Sequence, residues 1–177
     1  GGREMDLDKF RLRNFVGKLA ELGELEVHEE PVALADLSHI IEKSAKAQLF
    51  KNVGAERYEV VAATAGSRKR LAAAFGVDPA NAVSEFARRL DTPQPMVMIP
   101  SADAPVHQVI KTGDQIDLNK LPFHPQHEFD GGTYISSGID YSIDPATGRA
   151  NIGCRRLMLR SKNTMRANLT ANSDLKK

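Results

Sequence analysis

Near Thr92 the spacing of apolar residues changes from about 3.6 to about 2. The first period suits helices that bury one face, the second strands that do the same, so one uniform architecture is ruled out. Prolines at 93, 95, 100, 105, 122 and 125 accompany the change. Each fixes φ and removes a backbone donor, which disfavours long helices there. The pattern divides the chain into an N-terminal α/β region, residues 5–105, and a β-rich region, residues 106–177. The fold class expected is therefore α+β.

Within the first region, Phe10, Phe15, Val16, Leu19 and Leu22 place a helix over Asp8 to Leu22, with Gly23 as its stop. Leu25 to Glu29 alternates like a strand. A second helix is expected from Leu34 to Gln48, burying Leu37, Ile40, Ile41 and Ala45. Tyr58 to Ala62 reads as a strand, and Lys69 to Phe75 and Ala82 to Leu90 as helices. In the second region strands are expected at Val106 to Ile110, Tyr134 to Ile143 and Asn151 to Arg160.

Composition excludes some functions. The net charge of +1 gives no electrostatic footprint for nucleic acid. No apolar run approaches the ~20 residues of a membrane span, and no apolar segment follows the N-terminus as a secretory signal would. Cys154 is the single cysteine, so no intrachain disulfide forms, and a cytoplasmic location is expected. Gly1-Gly2-Arg3-Glu4 before Met5 reads as an appended leader outside the fold argument.

The richest chemistry lies in Asp144 to Arg160, DPATGRANIGCRRLMLR. A Pro and Gly turn leads into a strand with an amide, a thiol and three arginines. Alternation puts Cys154 and Arg156 on one face and turns Arg155 to the other. An arginine beside an amide suits an anionic ligand, and a solvated strand with surface arginines is the plain alternative. His124 and His127, with Glu128 and Asp130, fall on a proline-broken loop and are read as structural or substrate-contacting rather than as a zinc site. Thr64 to Arg70 offers a basic helix start, read as solvated, with anion binding as the alternative.

This strand resembles the prenyl-FMN-contacting strand of the UbiD-type decarboxylases, in which an Asn-x-x-x-x-Arg spacing carries a metal-binding asparagine and a catalytic arginine. Here those positions are Asn151 and Arg156. The resemblance extends through FRLRNFVGKLAELGEL, GSRKRLAAAFGV and GDQIDLNKLPFHPQHEFDGGTYISSGIDYSIDPATGR, in the order the family has. It implies that residues 106–177 begin a flavin-type split β-barrel, and that the chain is the N-terminal part of a longer enzyme. Ser173 to Lys177 reads as a helix start, capped by Ser173, with no helix after it.

The resemblance also implies a site. Asn151 is expected to hold a metal, Mn2+ or Mg2+, against the flavin phosphate, with K+ as a further ion. Asp174 falls where several family members place a histidine ligand, and it reads equally well as a helix cap. Arg156 takes the place of the arginine in a Glu-Arg-Glu constellation whose glutamates are not matched in this chain. Cys154, Arg155 and Arg156 fall where the family's backbone passes the flavin. Asn168, Leu169, Thr170 and Ser173, with Asp174, match a second contact segment that is less basic here than in some members. For Asn151 the alternative is a turn-exit asparagine, for Arg156 a structural ion pair, and for Cys154 a small buried hydrophobe.

The function implied is reversible decarboxylation of an aromatic, heteroaromatic or α,β-unsaturated carboxylic acid on prenylated FMN. A flavin prenyltransferase would supply the cofactor, and the full-length protein would be a homo-oligomer. Two alternatives differ in class: an inactive fragment that binds flavin or assembles with another chain, and an FMN-binding split-barrel redox protein.

Overall fold

The computed structural model describes residues 6, 8–125, 128 and 131–167. It holds two compact units. The first takes the chain up to Val32, with His39–Val53 and Arg57–Val109; the second takes Ala33–Ser38, Gly54–Glu56 and the chain from Ile110. Helices and two small three-stranded sheets make the α+β class that the periodicity predicts.

In the first unit, α1 (Leu12–Glu21) follows a 3-10 turn at Asp8–Phe10. Gly23, at φ +69°, lets the chain leave α1 in a conformation that a Cβ would strain. Leu19 is buried with Ala47 and Ala73, and Phe15 and Leu25 pack against that cluster. Strand β1 (Leu25–His28) lies parallel to β2 (Ala47–Val53), which pairs antiparallel with β3 (Tyr58–Ala62). Beside the sheet's inner residues, His28 stacks on Phe50 at 4.5 Å, and its Nε2 lies 2.9 Å from the buried Gln48 Oε1. Gln48 in turn donates to the Ile41 carbonyl at 2.9 Å, so this buried amide is satisfied.

The expected helix from Leu34 to Gln48 is wrong over its second half. Helix α2 spans only Leu37–Glu42, Ala45 is exposed, and Ala47 onward is strand. The cause is the central place of β2. Paired on both edges and covered over most of its length, it carries no alternation to betray it. The expected strand at Val106 to Ile110 is also overturned: Pro105–Gln108 is a 3-10 turn, and Val106, Val109 and Ile110 are exposed. A strand needs a partner ladder, and none among the described residues pairs there.

Helix α3 (Arg68–Phe75) is capped by Ser67, whose hydroxyl accepts from the Arg70 backbone N–H at 3.1 Å. The basic helix start is solvated as expected at Arg68 and Lys69 but not at Arg70. Arg70 is only 2% exposed; its Nη1 donates to the Ala45 carbonyl at 2.9 Å and meets Glu24 at 3.2 Å. Lys69 reaches the same carboxylate at 2.8 Å. These partners, the Lys69 hydrogen bond foremost, hold the Glu24 carboxyl below its ordinary range.

Helix α4 (Ala82–Asp91) is tied to the end of α3 by Arg89, which donates to the Phe75 carbonyl at 2.8 Å and lies over its ring. Glu85 accepts from Arg88 at 2.7 Å and from Arg89 at 2.9 Å. Those bonds lower its pKa from the ordinary 4.5 to about 2. A depressed folded pKa means stability that is present above the unfolded value and lost as pH falls through the folded one. Acid unfolding is therefore expected to weaken the chain between about pH 4.5 and 2, and Glu85→Gln to flatten that slope. Denaturation midpoints over this range check it: equal slopes in both proteins would show that the triad carries no linkage.

In the second unit, β4 (Tyr134–Ile143), β5 (Ala150–Ser161) and β6 (Thr164–Ala167) form an antiparallel sheet in that order. The β4–β5 turn is the one the sequence announces. Asp144 accepts from the Ala146 N–H at 2.9 Å and from the Thr147 hydroxyl at 2.8 Å, and Gly148 has φ +69°. The Ala146 N–H foremost keeps the Asp144 carboxyl low. The turn fixes the register of the strands that follow it.

Candidate functional site

Strand β5 carries the nominated side chains, and the hairpin register decides which way each points. Asn151 opposes Ser142, Ile152 opposes Tyr141, Gly153 opposes Asp140 and Cys154 opposes Ile139. Alternation then gives two faces. One carries Ile152, Cys154 and Arg156 with Ile139 and Tyr141. The other carries Asn151, Gly153 and Arg155 with Asp140 and Ser142.

The first face is open. Ile139 is 60%, Tyr141 72% and Ile152 62% exposed, and Cys154 and Arg156 are exposed too. An apolar platform ending in one guanidinium is suited to a flat, partly anionic ligand. The Arg156 guanidinium carbon lies 5.4 Å from the centroid of the Tyr134 ring. Cys154 stands on this open face rather than in a core.

The second face is half covered. Arg155 Nε lies 2.8 Å from Asp140 Oδ1, an ion pair whose atoms are out of line for a hydrogen bond. The two side chains are 19% and 29% exposed. Gly153 makes their position possible, because a Cβ there would stand 2.8 Å from Asp140 Oδ1. Asn151, half-buried, lies two residues further along this face. Asn151 and Arg156 thus share a strand but not a face. They are separated by five residues, roughly 16 Å of extended chain.

Asn168, Leu169, Thr170, Ser173 and Asp174 lie outside the described residues, as do His127 and Asp130 of the histidine loop. Among the described residues no three His, Cys, Asp or Glu side chains gather as a metal site. The donor set for a metal is therefore not closed by them; Asn151 would contribute one amide oxygen, where hard cations need several oxygens. A flat anionic group such as a flavin fits the open face better, since an apolar wall and a cation are both present there. Sequence reasoning overlooked Tyr134, Gly138, Asp140 and Gly153. Glycine inside a strand marks a bulge or a close approach, and both glycines carried that signal.

A concavity exists in the first unit, an open groove of about 810 Å³ between α1 and the sheet, lined by residues that include Leu12, Val16, Val27, Leu49 and Val61. None of the nominated residues line it. No helix of the described residues is long and apolar enough to cross a membrane.

Comparison with known families gives two matches that together span most of the chain. Residues 16–90 match the 3-octaprenyl-4-hydroxybenzoate carboxy-lyase N-terminal domain, and residues 97–177 match the Rift-related domain of the same carboxy-lyase, UbiD. Among solved structures, the chain is similar to an evolved dimeric form of the UbiD-class enzyme HmfF from Pelotomaculum thermopropionicum in complex with prFMN. The identity is 27% and the TM-score 0.85, over 93% of this chain and 39% of that one. It is similar to vanillic acid decarboxylase from Sedimentibacter hydroxybenzoicus, at 26% identity and TM-score 0.83, over 91% of this chain and 38% of that one. The 3,4-dihydroxybenzoic acid decarboxylase AroY of Klebsiella pneumoniae shares the fold at 19% identity and TM-score 0.84, over 93% and 38% of the two chains. The chain spans under two fifths of the length of these proteins.

Proposed function

Because this chain belongs to the UbiD family of carboxy-lyases, we propose that its full-length parent is a prenylated-FMN-dependent decarboxylase. Its substrate class is an aromatic, heteroaromatic or α,β-unsaturated carboxylic acid. The observation that carries this reading is the open face of β5, where Ile152, Cys154 and Arg156 lie side by side within the matched family segment. In this reading the region up to residue 105 is an N-terminal α/β domain, and residues 106–177 begin a split barrel. A homo-oligomeric, cytoplasmic enzyme supplied by a flavin prenyltransferase belongs to the same proposal.

When bound, the modified flavin supplies the electron sink for loss of carbon dioxide. The chain's own residues bind and orient. Ile152 and Cys154 offer a flat apolar wall that excludes water from one side of the ligand. Arg156 presents a fixed positive charge and a planar fork to a carboxylate, and that charge never titrates in the working range. Burial of the carboxylate against this fork strengthens the attraction as water leaves. Asn151, on the reverse face, would offer its amide oxygen to a metal. Asp174 is the second proposed ligand, and Asn168, Leu169, Thr170 and Ser173 the second contact segment. Arg155, paired with Asp140, holds the strand from behind and contributes only its backbone to the cofactor side.

The test is mass spectrometry of the flavin recovered from full-length protein expressed beside an active prenyltransferase. A flavin heavier than FMN by a prenyl-derived unit is expected. In the same preparation Asn151→Ala is expected to lower manganese content and flavin retention together, because a metal held by both protein and cofactor would couple the two affinities. Plain FMN alone in the parent would favour the redox alternative. Unchanged metal and flavin in the variant would leave Asn151 a turn residue.

A further inference from the structure

The ring of Tyr134 lies on the Arg156 face although simple alternation forbids it. Counting back from the hairpin turn, Ile143, Tyr141 and Ile139 share that face, so an unbroken strand would turn Tyr134 away. Between Ile135, opposite Leu157, and Gly138, opposite Arg155, β4 advances three residues while β5 advances two. The extra residue reverses the phase of β4. Tyr134 then opposes Met158, next to Arg156 on the same side. Gly138 permits the distortion, since a Cβ there would stand 2.9 Å from the Arg155 carbonyl oxygen. A bridge from His124 pairs with the Tyr134 backbone on its other edge.

We infer that Tyr134 is a positioning residue for Arg156: its ring restrains the guanidinium at the end of the apolar platform before a carboxylate binds. This rests on the reading of Arg156 given above. A long exposed arginine otherwise loses rotamer entropy each time it binds, and a ring that restrains it beforehand removes part of that cost. The contact is between cation and π-face, so the ring is required and the hydroxyl is not.

The test uses flavin-loaded full-length protein with Tyr134→Phe and Tyr134→Leu, each with Arg156 and with Arg156→Gln. Turnover is measured beside the rate at which phenylglyoxal labels Arg156, followed by peptide mass spectrometry with Arg155 as internal reference. Tyr134→Leu is expected to speed labelling of Arg156, to leave flavin content unchanged and to lower kcat roughly two- to five-fold, the size of one exposed cation–π contact. Tyr134→Phe is expected to restore both readouts, and Tyr134→Leu to cost nothing further once Arg156 is glutamine. Unchanged labelling in Tyr134→Leu, or an equal fall in kcat with and without Arg156, overturns the inference while the reading of Arg156 stands. Parental turnover in Arg156→Gln instead overturns that reading, and the labelling then judges the Tyr134 contact alone.

Discussion

Arg156→Lys in the full-length protein is expected to keep its flavin and lose roughly one to two decades of decarboxylation rate, the range for one charged hydrogen bond acting in the transition state. Arg155→Lys is expected to be mild. The two neighbours differ because the strand turns them to opposite sides. Arg156 is exposed on the platform face, whereas Arg155 is paired with Asp140 behind it. Lysine keeps the charge and loses the planar fork, so it separates a bidentate role from a merely electrostatic one. Steady-state turnover of both variants at matched flavin content decides the matter. Near-parental rates in both would make Arg156 structural and reverse the choice of face. The 177-residue chain by itself is expected to show no turnover in any version, since no glutamate of it matches the family's proton donor.

Arg70→Leu is expected to destabilise the first unit by about 2–3 kcal/mol. Arg70 is the one charged side chain among the described buried residues, and its removal takes a donor from the Ala45 carbonyl as well as from Glu24. Lys69 remains beside Glu24, which limits the loss below that of a fully orphaned buried charge. The leucine also cannot use the close approach of Arg70 Nη2 to Gly66, where a Cβ would stand at 2.7 Å. Denaturant unfolding of the purified chain measures the change. A shift under half a kilocalorie would show that the buried pair is replaceable by packing, as such pairs sometimes are.

Much of the fold was legible because its signals are local. Leu12–Glu21 turns Phe15, Val16 and Leu19 inward as its spacing implies, Ala82–Asp91 forms where expected although Val83, Phe86 and Leu90 stay exposed, and Tyr134–Ile143 matches its expected limits to the residue. Strand β2 was not legible. A central strand covered over most of its length has the composition of a short helix, and only its two partners distinguish them. Val106 to Ile110 failed in the opposite way: the strand-like run is present, but no ladder among the described residues receives it.

For the candidate site, the residues of β5 are legible in the chain and, through the period of two, so is the face that Cys154 and Arg156 share and Arg155 does not. The chain also carried the family order, which the two matched domains bear out over most of its length. The tertiary structure alone decided what each face meets. Asp140 finds Arg155 across a gap that Gly153 leaves open, and Tyr134 reaches Arg156 only because one extra residue shifts the phase of β4. Alternation is a property of one strand and can be read from it. Register is a property of two, and a bulge is visible only once they are paired.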